Sequence, residues 1–312
     1  MTIQERYRGA MLGLAVGDAL GVPAEFKDRG TFPKITEMIG GGPFRLNPGE
    51  WTDDTTMALC LANSLIEKNG FDAIDQMEKY WSWVENGYMS SNGRMFDIGD
   101  KTSDSLCKYR KTKNPFAGGN RDDTSSGNGS LMRLVPIPLF FKDDPHPLAF
   151  MDYAVHSSEL THGSMDCICS CIYFSGLIVG ALNGVTKEKL LEPYYFPIED
   201  KKPNLESDGL LDIIMGTYKN KTEDQIKSTG YVLHTLEAAL WCFYTTETFE
   251  DGLIKVVNLG YDSDTTGAVY GQLAGAYYGV QSIPQRWLDK TVMCNIIIDV
   301  ADKLLEKRPL CN

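Results

Sequence analysis

Two short runs carry residues that could act together on a metal ion. Trp51-Thr52-Asp53-Asp54-Thr55-Thr56 and, far downstream, Asp262-Ser263-Asp264-Thr265-Thr266 each set a pair of carboxylates ahead of two threonines. Each run stands where an apolar periodic segment begins, so each also fits a helix N-terminus. There Asp and Thr oxygens accept orphan amide protons and negative charge suits the dipole. A single run is read most simply as such a cap. Two runs in the same order are harder to explain that way, because a second carboxylate beside the first adds repulsion. If the runs meet in space, their carboxylates crowd one pocket, which is unfavourable unless a cation lies between them. Carboxylate and hydroxyl oxygens without His or Cys favour hard ions such as Mg²⁺ or Mn²⁺. The expectation is a two-ion site with the ions ~3.5–4 Å apart.

The elements that must position these runs carry an unusual glycine pattern. Residues 6–22 read as a helix in which Gly9, Gly13, Gly17 and Gly21 line one face, and Gly267, Gly271, Gly275 and Gly279 repeat the device after the second acid run. A helical glycine costs about 1 kcal/mol relative to alanine. Close approach of the two helices in the core is the simplest compensation, and it would bring the acid runs together. Between them, residues 23–50 read as a loop with Gly40-Gly41-Gly42-Pro43 and Asn47-Pro48-Gly49 turn signals. Glu25 lies at its start, either a surface acid or a mobile carboxylate near the metal pocket.

Further helices are expected over residues 53–69, 71–86, 170–182, 222–244 and 249–259, with a last amphipathic one over 287–307. Met77, Tyr80, Trp81 and Val84 are expected in the core, as are Trp241 and Phe243. Residues 193–208 read as a surface excursion. Asp97 stands ahead of a helix and reads first as a cap. Residues 114–130 read as a loop ending in Gly127-Asn128-Gly129-Ser130. Its alternating glycines could aim backbone N–H groups at an anion ahead of a helix start, although a tight turn is the default. His162 alone reads as structural. Convincing strands are scarce, Val135-Pro136-Ile137-Pro138 being ill suited to a central strand. No strand, glycine turn and helix unit of the dinucleotide-binding kind occurs. The fold class is therefore all-α, with residues 1–312 as a single domain.

Composition narrows the partners. Of 312 residues, 43% are hydrophobic and 23% charged, ordinary for a globular chain with a sizeable core. A net charge of −12 argues against nucleic acid as the main partner. No secretory signal follows Met1 to Arg8, and no apolar stretch reads as long enough to span a bilayer. The eight cysteines are scattered and read as reduced, buried thiols of a cytoplasmic protein. Cys167, Cys169 and Cys171 are too closely spaced for a familiar zinc site.

Together, Gly17-Asp18-Ala19-Leu20-Gly21, Trp51 to Thr55, Phe96-Asp97-Ile98-Gly99, Gly127 to Arg133, Leu160-Thr161-His162 and Asp262 to Thr265 resemble the motifs of the ADP-ribosylglycohydrolases. The motifs keep that family's order from about residue 6 to 280. The resemblance implies an all-α fold around a dinuclear Mg²⁺ or Mn²⁺ centre. Its ligands would be Thr52, Asp53 and Asp54 on one side and Asp262, Asp264 and Thr265 on the other. Asp97 matches the catalytic acid position and Glu25 a loop glutamate that approaches metals and substrate; which acts as acid and which as base stays open. Gly127, Asn128, Gly129 and Ser130 would hold the pyrophosphate or distal ribose, and His162 would line the ADP-ribose pocket. The implied reaction is hydrolysis of the bond between ADP-ribose and a protein side chain, arginine or serine, or a small acceptor. Residues 26–50 and 103–126, read as loops, would shape the acceptor side. Two alternatives remain: a non-catalytic ADP-ribose-binding protein on the same fold, and another metal-dependent hydrolase of nucleotides or phosphate esters.

Overall fold

The computed structural model describes residues 1–119 and 126–310, and the part of the expected 114–130 loop at 120–125 lies outside them. The described residues are helical, without a strand beyond the isolated bridges Gly41–Leu46 and Gly127–Tyr231. The helices are α1 (Ile3–Gly21), α2 (Asp53–Lys68), α3 (Ala73–Asn86), α4 (Asp100–Thr112), α5 (Pro136–Phe141), α6 (Ala149–Glu159) and α7 (Met165–Leu182). They continue with α8 (Lys187–Leu190), α9 (Asp208–Ile214), α10 (Val232–Thr245), α11 (Phe249–Val257), α12 (Ser263–Tyr278), α13 (Gln285–Leu288) and α14 (Cys294–Lys307).

Helices α1 and α12 form the central antiparallel pair. A Cβ on Gly9, Gly13 or Gly17 would run into the carbonyl oxygen of Gly275, Gly271 or Gly267, and the reverse holds for each partner. The glycines therefore allow backbone to lie on backbone, which offsets their low helix propensity. Gly21 abuts Ser263 and Asp264, and the Ser263 hydroxyl donates to the Gly21 carbonyl at 2.7 Å. Gly279 also lies against α1, its backbone carbon 2.8 Å from where a Cβ on Gly9 would stand. It ends α12 with φ +77° and packs against Met1.

Around this pair pack α14 on α1, and α7, α10 and α11 on α12. The expectation that no stretch could span a bilayer does not hold for α7, which is long and apolar enough by length and composition. Of it 89% is buried inside the protein, as befits a core helix whose apolar surface meets neighbours all round. A second, smaller core joins Met57 and Cys60 to Met77, Tyr80, Trp83, Leu106, Tyr109 and Leu160. Trp83 takes the buried place expected for Trp81, whose ring instead carries the Arg110 guanidinium at 4.7 Å.

Several boundaries differ from those read in the sequence. The region 222–244 is α-helical only from Val232, preceded by a 3-10 turn at Glu223–Gln225, and the last helix is divided by residues 289–293 into α13 and α14. The acceptor-side segment 103–126 is not a loop throughout, because α4 occupies it to Thr112. The Val135 to Pro138 stretch begins α5, with proline at a helix start where no amide proton is needed. Trp241 and Phe243 are buried as expected. No disulfide joins the described cysteines; Cys107 is exposed and Cys294 half-buried, so burial of the thiols is not general.

Candidate active site

The glycine contact sets α2 and α12 so that their first turns face each other. The Thr265 hydroxyl lies 3.3 Å from Asp54 Oδ2, and the Thr52 hydroxyl 3.4 Å from Asp264 Oδ2. The acid runs thus meet across more than half the chain. Neither works as a side-chain cap: Thr52 and Asp262 occupy the N-cap positions without capping hydrogen bonds. The cap for α2 comes from α1. Asp18 Oδ1 accepts from the Thr52 amide at 2.9 Å, and Oδ2 accepts from the Thr55 amide at 3.1 Å and its hydroxyl at 2.6 Å.

Asp18 was missed as a site residue, although its signal was legible: it is the sole carboxylate in the apolar part of α1. It is fully buried, and burial pushes its carboxyl up to about 6 against the four hydrogen bonds from Thr52 and Thr55 that favour the charge.

The loops bring two more acids. Phe26 donates its amide to the Tyr261 carbonyl at 2.6 Å, and Tyr261 donates back to Lys27 at 2.8 Å. This exchange ties the Glu25 turn to the residue before the second acid run. Glu25 is consequently not a surface acid, being only 3% exposed. Asp97 sits in the loop between α3 and α4 with φ +58°, a left-handed conformation that Asp tolerates better than most residues. It is not a cap, since Gly99 holds the N-cap position of α4. One carboxylate oxygen each of Glu25, Asp97 and Asp264 lie within 4.8 Å of one another.

Three oxygens of these acids lack a hydrogen-bond donor. Glu25 Oε2, Asp54 Oδ1 and Asp264 Oδ1 are buried with no hydrogen-bond partner. The single Thr52 hydroxyl proton faces oxygens of Asp18, Asp54 and Asp264 at 3.0, 3.2 and 3.4 Å. Burial, reinforced by the neighbouring carboxylates, holds Asp53, Asp54 and Asp264 well above the usual range. It takes Asp97 to about 7 and Glu25 to about 9, and raises Asp262 too, which Asn128 and Thr265 partly offset. A buried donor set of carboxylates and threonines with orphaned oxygens has the chemistry to hold hard divalent cations.

A cavity of about 640 Å³ opens over this floor, with Glu25, Asp53, Asp97, Asp262, Asp264 and Thr265 in its lining. Thr52 and Asp54 lie beneath, outside the lining. Lys101, Gly127, Asn128, Gly129 and His162 also line it, with Phe26 and Tyr231 exposing aromatic surface. Of the expected glycine turn, Ser130 does not line the cavity; its hydroxyl is engaged by Ser158 at 2.8 Å. Asn128 braces a ligand-type acid: its side-chain amide donates to Asp262 Oδ2 at 2.7 Å, while its backbone amide donates to the Gly230 carbonyl. The Asn128 amide is therefore taken up within the protein, and no helix starts directly after the turn. Gly127 and Gly129 have no positive φ. What Gly129 supplies is room, since a Cβ there would stand 2.6 Å from His162 Cε1. His162 follows α6 and is 4% exposed; burial, with Arg133 and Lys101 nearby, lowers it to about 3.

Comparison with known proteins agrees with this architecture. The model of the ADP-ribosylglycohydrolase family matches residues 1–312. The ADP-ribosylarginine hydrolase Tri1 of Serratia proteamaculans is 39% identical over 305 residues, 98% of this chain and 80% of that protein. The ADP-ribosyl-[dinitrogen reductase] glycohydrolase of Rhodospirillum rubrum is 31% identical, over 94% of this chain and 92% of its own. A solved structure titled ADP-ribosylglycohydrolase-related protein complex superposes with a TM-score of 0.84 at 40% identity, covering 98% of both chains.

Proposed function

The chain belongs to the ADP-ribosylglycohydrolase family, and from that premise we propose that it hydrolyses the N-glycosidic bond between ADP-ribose and an arginine side chain, using two divalent cations. The observation that carries this reading is the convergence of the two acid runs, with orphaned Asp54 and Asp264 oxygens, on the floor of one cavity. The arginine acceptor is favoured by relatives named for it at 39% identity, and by the acids in the cavity lining, which suit a guanidinium. Thr52, Asp53, Asp54, Asp262, Asp264 and Thr265 would hold the cations, with Mg²⁺ or Mn²⁺ matching their oxygen donors. Bound there, cations would polarise ribose hydroxyls and supply fixed positive charge.

The protein's own groups do the rest. Asn128 fixes Asp262, and Asp18 fixes Thr52 and Thr55 at the start of α2, so that little reorganisation is needed when charge develops. Glu25 and Asp97 both line the cavity, and their mutual repulsion favours one proton between them near neutral pH. The protonated member can donate to the departing guanidine nitrogen, while the ionised one accepts a proton from the attacking water. Lys101 and His162, in the lining of the same cavity, suit the phosphates. The free thiols among the described cysteines fit a cytoplasmic setting.

The test is hydrolysis of ADP-ribosyl-arginine and ADP-ribosyl-serine peptides side by side, each with Mg²⁺, Mn²⁺ or EDTA. Cation-dependent release of ADP-ribose from arginine is expected. Tight ADP-ribose binding without turnover, or preference for nucleoside phosphates, would contradict the proposal.

A further inference from the structure

Beneath the glycine turn lies Arg133, fully buried and without a carboxylate partner among the described residues. Burying a lone guanidinium is costly, so its hydrogen bonds must matter. Nη1 donates to the Gly129 carbonyl at 2.9 Å, and Nη2 donates to the Ser157 carbonyl at 3.3 Å and the Thr161 hydroxyl at 2.7 Å. The guanidinium also rests 5.0 Å from the centroid of the Tyr80 ring.

The Thr161 hydroxyl has one other partner, His162 Nδ1, at 2.7 Å. Arginine can only donate, so Thr161 Oγ1 accepts from it. The hydroxyl proton then has a single acceptor in reach, the imidazole Nδ1. A neutral ring that accepts at Nδ1 carries its proton on Nε2. Nε2 faces the cavity between Gly127 and Gly129, and no protein group among the described residues bonds it. The backbone of His162 is held as well: its amide donates to the Ser158 carbonyl at 2.7 Å, and its carbonyl accepts from the Ser158 hydroxyl at 2.7 Å.

We propose that Arg133 and Thr161 are positioning residues that fix His162 as the Nε2–H tautomer, so that the ring presents one oriented donor to an acceptor oxygen of the substrate's phosphate or ribose. The low proton affinity of the buried ring keeps it neutral through the physiological range, so the donor does not titrate there. The identity of the acceptor rests on the ADP-ribose reading above; the tautomer does not.

The test uses the full chain labelled with ¹⁵N-histidine, which has only four histidines to resolve. In the wild type, imidazole nitrogen shifts should show Nε2 protonated and Nδ1 unprotonated but shielded by an accepted hydrogen bond. Thr161→Val should remove that shielding and weaken binding of free ADP-ribose by about tenfold, measured calorimetrically. Thr161→Ser should restore both. A wild-type ring protonated on Nδ1 would overturn the proposal, even if Thr161→Val failed to fold. So would a Thr161→Val protein whose Nδ1 shift and ADP-ribose affinity matched the wild type. Because the tautomer is read without substrate, absence of turnover on ADP-ribosyl-arginine would count against the functional reading alone.

Discussion

Gly17 and Gly267 face each other so closely that neither could carry a Cβ: each would strike the other's carbonyl oxygen. With Gly13–Gly271 and Gly9–Gly275 they make α1 and α12 a backbone-to-backbone pair, and the pair sets the distance between the acid runs. Gly17→Ala should therefore separate the helices. A loss of about 3 kcal/mol or more is expected from overpacking in a site that cannot relax. Denaturant unfolding would measure it, and divalent-cation affinity should fall with it.

Asp18 touches no cavity surface, yet it holds Thr52 and Thr55 by their amides and hydroxyls. Asp18→Asn keeps the shape but replaces one acceptor oxygen with a donor facing those groups. Cation affinity or kcat/KM should fall ~10–100-fold while the helical circular-dichroism spectrum stays unchanged.

Gly129→Ala would place a methyl 2.6 Å from His162 Cε1 and 2.9 Å from Nε2. The imidazole must turn away, so ADP-ribose affinity should drop by about tenfold. Thermal stability should shift by less than about 1 kcal/mol, since the displaced ring borders open cavity.

The carboxylates make the cation-free protein sensitive to pH. Glu25 rises to about 9 from 4.5 and Asp97 to about 7 from 3.8, so the folded state binds more protons than the unfolded chain between those limits. Stability then falls as pH rises. Their contribution is intact below the ordinary carboxylate range and lost as pH climbs through the raised values. In EDTA, Tm should decline steadily from mildly acid to mildly alkaline solution. Saturating Mg²⁺ or Mn²⁺ should flatten the decline, because a cation favours the ionised acids.

Much of this was legible in the sequence because it was written as repetition. Paired acid runs and paired glycine stripes imply contact between α1 and α12 without coordinates, as Gly13 and Gly271 illustrate. What was not legible depends on direction. Ser130 points away from the cavity although it follows Gly129, and Asn128 braces Asp262 rather than facing an anion. Spacing along a turn does not fix which way a side chain leaves it. The residues alone leave Glu25 between a surface acid and a pocket carboxylate, because the backbone exchange that ties its turn inward is with Tyr261, a residue remote in sequence. The membrane-length apolar run of α7 shows the same gap, since composition alone does not distinguish lipid from a packed core.

The most direct test of the central claim is anomalous diffraction from crystals equilibrated with saturating Mn²⁺. Two manganese peaks are expected between the first turns of α2 and α12, within coordination distance of Asp53, Asp54, Asp262 and Asp264 oxygens. No anomalous density at that floor, with the acid runs still face to face, would contradict it.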